Sequence, residues 1–159
     1  MSEEMKTTFE NLDVWKESRT LRTEITTLVK EFPDEEKYRL VDQMIRAARA
    51  VSGNIAEGHG RFHFQENIQF CRRARGSLSE LLDHFYVALD DKYITETEFN
   101  YFREKCLNLE KLVNDYIANL AKQKQAHANP PRPPQPSRTT HPPHTNKSTG
   151  GKSDGVKRI

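Results

Sequence analysis

The stretch Arg46–Arg75 reads RAARAVSGNIAEGHGRFHFQENIQFCRRAR, and its reading decides the fold. Its first half continues a helical apolar pattern through Ala47, Ala48, Val51 and Ile55. Gly53, Gly58 and Gly60 then lower helix propensity steeply, so the helix is expected to loosen or end between about Glu57 and Phe62. A new helical period starts near Phe64 or Gln65, with Ile68, Cys71, Leu78, Leu81, Phe85 and Leu89 inward. Gly76 falls in the middle of this run and is expected to interrupt it or to permit close backbone approach.

Working outward, the same grammar repeats on both sides. Toward the N-terminus, Val14, Ser18, Leu21, Ile25, Leu28 and Phe32 recur at alternating spacings of four and three, the seam of a helix packed in a bundle. Asn11 or Asp13 is the expected cap, and Pro33 stops the run. Asp34, Glu35 and Glu36 supply a cap and an acidic first turn for the second helix. That helix carries two adjacent stripes. Tyr38, Val41, Ile45, Ala48, Ser52 and Ile55 form one, while Leu40, Met44, Ala47 and Val51 form the other. Such a wide face fits a helix touching two bundle neighbours or one forming a subunit contact. Toward the C-terminus, Thr95 and Glu98 have the spacing of a capping box. Phe99, Phe102, Cys106, Leu109, Val113, Tyr116 and Leu120 then give the cleanest seam in the chain. The expected fold is an all-α, antiparallel up-down four-helix bundle over residues 1–125.

Charge is distributed unevenly. Residues 37–75 hold eight Lys/Arg against three acids, a local +5, in a chain whose net charge is +2. Residues 1–125 together carry 19 Lys/Arg and 22 Asp/Glu, so the basic segment belongs to an otherwise acidic body. That polarity concerns partners rather than fold, and it points to a polyanion. With 35% hydrophobic and 30% charged residues the composition is that of a soluble helical chain. The acidic, polar start MSEEMKTTFENLD does not have the basic-then-apolar pattern of a secretory signal, so a cytoplasmic location is expected. Cys71 and Cys106 both fall on apolar stripes and are expected to be buried thiols. Past Gln125 the composition changes. Seven of the eight prolines lie between Pro130 and Pro143, and residues 126–159 hold six Lys/Arg against one Asp. This tail has too little apolar surface to offset its ordering entropy and is expected to be disordered, either as a solvated linker or as a basic arm.

Catalytic patterns are weak. His59 and His63 are four apart with Glu57 and Glu66 nearby, but glycines at 58 and 60 break the helix that would align them, so no metal site is expected. Gly58-His59-Gly60 follows a helix and lacks the strand and third glycine of a dinucleotide loop. Gly150-Gly151-Lys152-Ser153 matches the end of a phosphate-binding loop, but Asn146 stands where its first glycine is required. No cofactor and no enzymatic activity is expected.

Gly53-Asn54-Ile55-Ala56-Glu57-Gly58, then Arg61, then Ala74-Arg75-Gly76-Ser77-Leu78-Ser79-Glu80-Leu81, resembles the four-helix-bundle family encoded in intervening sequences of bacterial 23S ribosomal RNA genes. Phe9-Glu10-Asn11-Leu12-Asp13-Val14-Trp15-Lys16 is similar to its usual opening. That family is in turn similar to the accessory variability determinant proteins of diversity-generating retroelements. The resemblance covers residues 9–122 and implies a bundle assembling as a homopentamer, with basic surface for RNA or DNA and, in retroelements, a reverse transcriptase as partner. Ser52 stands where the family often has a proline two residues before the Asn, so any kink must come from Gly53.

Two functions follow. In one, Arg46, Arg49, Arg61, Arg72, Arg73 and Arg75 contact nucleic-acid phosphates. In the other, the bundle binds only proteins and the arginines offset acids on neighbouring helices. Spacing puts Arg46 with Arg49 on one face and Arg72 with Arg75 on another, with Arg73 turned about 100° away. No recognition helix or aromatic platform is evident, so backbone charge is expected to dominate. The local charge excess and the resemblance together favour nucleic acid.

Overall fold

The computed structural model describes residues 8–130. The expected disorder of the proline-rich tail and its basic-arm reading concern residues outside that range, apart from its first few positions.

Four helices account for most of the described chain: α1 Asp13–Leu28, α2 Leu40–Gly60, α3 Phe64–Asp90 and α4 Glu96–Ala128. Each packs on the next, and α4 returns against α1, which closes an up-down ring of four. The α2–α3 contact is the most extensive and the α1–α4 contact the least. The seams read from the sequence become the core. Ile25, Met44, Val51, Ile55, Cys71, Leu81, Phe85 and Val113 are almost wholly excluded from solvent, and Phe85 stacks on Phe102 at 4.9 Å between centroids. None of the described helices is long and apolar enough to cross a membrane.

The ends of the helices differ in places from their sequence signals. A short 3-10 turn, Phe9–Asn11, precedes α1, whose N-cap is Leu12 with no side-chain cap; neither Asn11 nor Asp13 fills that role. The run of apolar residues toward Pro33 leaves the α-helix at Leu28 and finishes as a 3-10 turn, Val29–Glu31, which buries Val29 rather than Leu28. The acidic triplet Asp34–Glu36 forms a separate 3-10 turn instead of the first turn of α2. It still serves that helix, since the Glu36 carboxylate accepts the backbone N–H of Leu40 at 3.2 Å. The Thr95–Glu98 capping box forms as its spacing predicts.

Two glycine expectations are corrected. Helix α3 runs through Gly76 without a break, and a Cβ there would meet nothing within 4 Å; the same open space surrounds Gly53 in α2. The close approach occurs at Gly58, where a Cβ would lie 2.8 Å from both Asn67 Oδ1 and Phe70 Cβ. Helix α2 rests on α3 there because the side chain is missing. The wide face of α2 is mostly explained by its two neighbours: Val41 and Ile45 are half-buried against the core, and Tyr38 is left exposed.

Candidate nucleic-acid interface

Helix α2 ends at Gly60, where the glycines remove the side chains that would hold the last turn. The chain reverses through Arg61–His63 and starts α3 at Phe64. Phe62 makes the reversal with φ 54°, a left-handed conformation unusual for an aromatic residue. The contact at Gly58 brings in Asn67, a buried polar residue that the apolar periodicity passed over. Its amide nitrogen donates to the Tyr116 hydroxyl at 3.1 Å, and its oxygen accepts the Cys71 thiol at 3.5 Å. Burial pushes the Tyr116 hydroxyl above its ordinary pKa even though the Asn67 bond pulls the other way. Burial likewise pushes the Cys71 and Cys106 thiols up to about 12, and both are free. These thiols are core groups, too poorly ionised to act as nucleophiles at neutral pH.

The six arginines divide into three sets. Arg46 and Arg49 lie exposed on the outer face of α2, with Arg46 paired to Asp42 one turn earlier at 2.8 Å. Arg61 and Arg73 converge on the ring of Phe70, at 5.2 and 4.8 Å from its centroid. Arg61 also donates to Glu57 at 2.6 Å, a bond that holds its guanidinium above the ordinary arginine value. Arg72 and Arg75 face the α4 flank: Arg75 donates to Asn114 at 2.8 Å, and Arg72 borders a groove with Ile117, Ala121 and Lys124. The separation of Arg73 from Arg72 and Arg75 is the one the helical spacing predicts.

Of the six, only Arg46 and Arg61 are paired with carboxylates among the described residues, Arg46 within α2 and Arg61 from the turn back to Glu57 in the last turns of α2. The other described pairs, His84–Glu80 and Lys105–Glu24, involve none of the six. Exposed i,i+4 pairs of this type hold a side chain only weakly.

At this end of the bundle a cavity of about 390 Å³ opens. His59 and His63 come from either side of the turn, Phe62 and Phe64 from the turn and the start of α3, and Tyr116, Asn119 and Gln123 from α4. The two histidines thus share a cavity but not a helix. Among the described residues no group of three or more His, Cys, Asp or Glu is placed to hold a metal ion.

With this geometry in hand, the sequence matches the 23S rRNA-intervening sequence protein family over residues 10–115, which span α1–α3, most of α4 and all six arginines. The chain belongs to that family. A crystal structure at 1.70 Å resolution of a protein of unknown function from the S23 ribosomal protein family of Bacteroides thetaiotaomicron VPI-5482 has the same fold, with a TM-score of 0.61. The two chains are 20% identical, and the alignment covers 65% of this chain and 97% of that one. No protein of curated function shows significant sequence similarity to this chain.

The sequence locates the arginines but not what positions them. Phe70 lies off the apolar stripe of α3, so periodicity does not single it out; an aromatic residue outside the stripe and close to arginines is the signal that the sequence carries. Asn114 and the cavity had none, since both depend on how α4 lies against α3. The same packing brings Phe62, His59, His63 and Tyr116 around one opening.

Proposed function

We propose that this family member is a non-catalytic nucleic-acid-binding accessory protein that works as a ring-like homo-oligomer. The resemblance drawn from the sequence motifs, through a family similar to accessory variability determinant proteins, makes a pentamer the expected ring and the reverse transcriptase of a diversity-generating retroelement the expected partner. The observation that carries the reading is the pairing of the arginines. If they served only to offset acids on neighbouring helices, they would bond across helices, and none of the six has a carboxylate partner on another helix among the described residues. Arg49, Arg72 and Arg73 are exposed with no carboxylate partner there, so their charge is available to phosphates. The part of Val41 and Ile45 that the core leaves uncovered borders a groove between α1 and α2, and that uncovered apolar surface supports self-association.

Binding through backbone phosphates makes affinity fall steeply with salt. Filter binding of a mixed-sequence RNA and a matching DNA at two salt concentrations tests this. The triple variant Arg49→Glu, Arg72→Glu, Arg73→Glu should lose on the order of 100-fold in affinity or more and show a shallower salt dependence. Its helical circular dichroism should be unchanged, because all three side chains are exposed. Wild-type protein that binds neither nucleic acid would favour the protein-interaction reading. Light scattering should give a multimer, and a clean monomer at micromolar concentration would remove the ring.

A further inference from the structure

We propose that a single strand of nucleic acid lies along the groove between α3 and α4, with its phosphates on Arg72 and Lys124 and, one turn further on, Arg75; this path rests on the nucleic-acid reading above. The groove holds about 300 Å³, with Gln65, Ile68 and Arg72 on its α3 side and Ile117, Ala121 and Lys124 on its α4 side. Lys124 donates across it to the Gln65 oxygen at 2.7 Å. Beyond Arg72, Arg75 crosses the same seam to the Asn114 oxygen at 2.8 Å. Both bonds end on neutral amides, so each cation is held over the seam without being neutralised. An ammonium has three donors and a guanidinium five, which leaves N–H groups on both for phosphate oxygens. From Gln65 to Arg75 the seam runs about 15 Å at the rise of an α-helix, long enough for several contacts to one strand.

Charge and shape together select the occupant. Between Glu66 and Glu80, α3 carries Arg72, Arg73 and Arg75 with no acid, and beyond Asp115, α4 carries Lys122 and Lys124 with no acid. Among the described residues no carboxylate lines the groove. The groove on the opposite flank of α4, against α1, mixes Asp13, Glu17 and Asp115 with Lys105 and Lys111, so the single-sign lining is particular to the α3 side. Such a lining attracts a polyanion. The floor is apolar: Ile68 is buried, and Ile117 and Ala121 are partly buried and keep some surface between the cations. A single strand has sugars and base faces to lay on that floor, whereas a duplex keeps its base faces stacked. Axes of packed helices lie about 8–10 Å apart, so a groove between them seats one strand while a duplex can only ride over its rims.

The test uses the full chain, a fluorescein-labelled oligouridylate and an RNA duplex of the same length, followed by fluorescence anisotropy over a range of salt concentrations. The wild type should bind the single strand more tightly than the duplex. In the pair Arg72→Gln, Lys124→Gln the plot of log affinity against log salt should become shallower by about 1.4, since each lost contact to a single strand removes about 0.7 from the slope. The pair Lys16→Gln, Lys111→Gln removes the same charge from outside the groove and should leave the slope as it is. The charge-preserving pair Arg72→Lys, Lys124→Arg should also keep the wild-type slope, and polyglutamate should compete poorly. An unchanged slope in Arg72→Gln, Lys124→Gln, or equal shifts in both neutralised pairs, would overturn the groove while leaving phosphate binding elsewhere intact. A shallower slope in the charge-preserving pair would make the loss structural and overturn it as well. A duplex bound as tightly as the single strand, or polyglutamate competing as well as the strand, would overturn the assigned occupant. Wild-type protein that binds neither nucleic acid would overturn both this inference and the reading beneath it.

Discussion

At one end of the bundle Phe32 is buried against Tyr93, with ring centroids 5.6 Å apart, and the Tyr93 hydroxyl donates to Glu36 at 3.1 Å. The other oxygen of Glu36 serves the start of α2, and the Thr95–Glu98 box serves the start of α4. At the opposite end the turn residue is also an aromatic, Phe62, but it is exposed; α3 starts without a side-chain cap, and a cavity opens between the helices. The α3–α4 and α2–α3 reversals each use one non-glycine residue with positive φ, Lys92 at the first end and Phe62 at the second. A solvated lysine suits such a position, whereas an exposed phenylalanine adds an apolar surface to it. The difference teaches where to look for function. The Phe32 end satisfies local rules of capping and burial together, while the Phe62 end departs from them beside the convergent arginines, and such departures concentrate at functional sites.

The largest test of this contrast pairs the two phenylalanines. Phe32→Ala should cost about 3–5 kcal/mol, from lost burial and the cavity left behind. Phe62→Ala should change stability by no more than about 0.5 kcal/mol, as at other surface sites. Urea denaturation of both variants measures the difference, and comparable losses would show that the two ends are not finished differently. A smaller effect is expected at Gly58→Ala. Alanine gains about 1 kcal/mol of helix propensity, but the new Cβ would press on Phe70 Cβ and Asn67 Oδ1 at 2.8 Å and on the Asn67 backbone oxygen at 3.2 Å. Overpacking of that kind costs about 1–3 kcal/mol, so the net result should be destabilisation. A stabilised Gly58→Ala would mean that α2 and α3 are free to separate at the cavity end. The smallest effect has the opposite sign. Gly53→Ala and Gly76→Ala place their Cβ in open space, and each should raise stability by about 0.5–1 kcal/mol on the same urea curves.

The glycines also show how much could be read in advance. Periodicity located the helices, because a side chain's face follows from its number along a helix whatever lies opposite. That is why the seam from Phe99 to Leu120 and the split of Arg73 from Arg72 and Arg75 were legible. Periodicity assigns the same local propensity to Gly58 and Gly76, and so misplaced the close contact at Gly76. Only the packing of α2 on α3 separates the two, since the contact at Gly58 depends on Asn67 and Phe70 from another helix.

By itself, then, the sequence determined the four amphipathic helices, the buried cysteines, the capping box before α4 and the basic segment around the α2–α3 turn. Those features depend on residues a turn or less apart, or on which face of one helix they share. Tertiary structure alone decided that Arg61 and Arg73 meet on Phe70, that Arg75 reaches Asn114, that Asn67 joins Tyr116, and that residues from three helices and a turn enclose one cavity. Each of these joins residues whose separation in space is fixed by the register of one helix against another. No local pattern encodes that register, because it is set by the combined packing of all four faces.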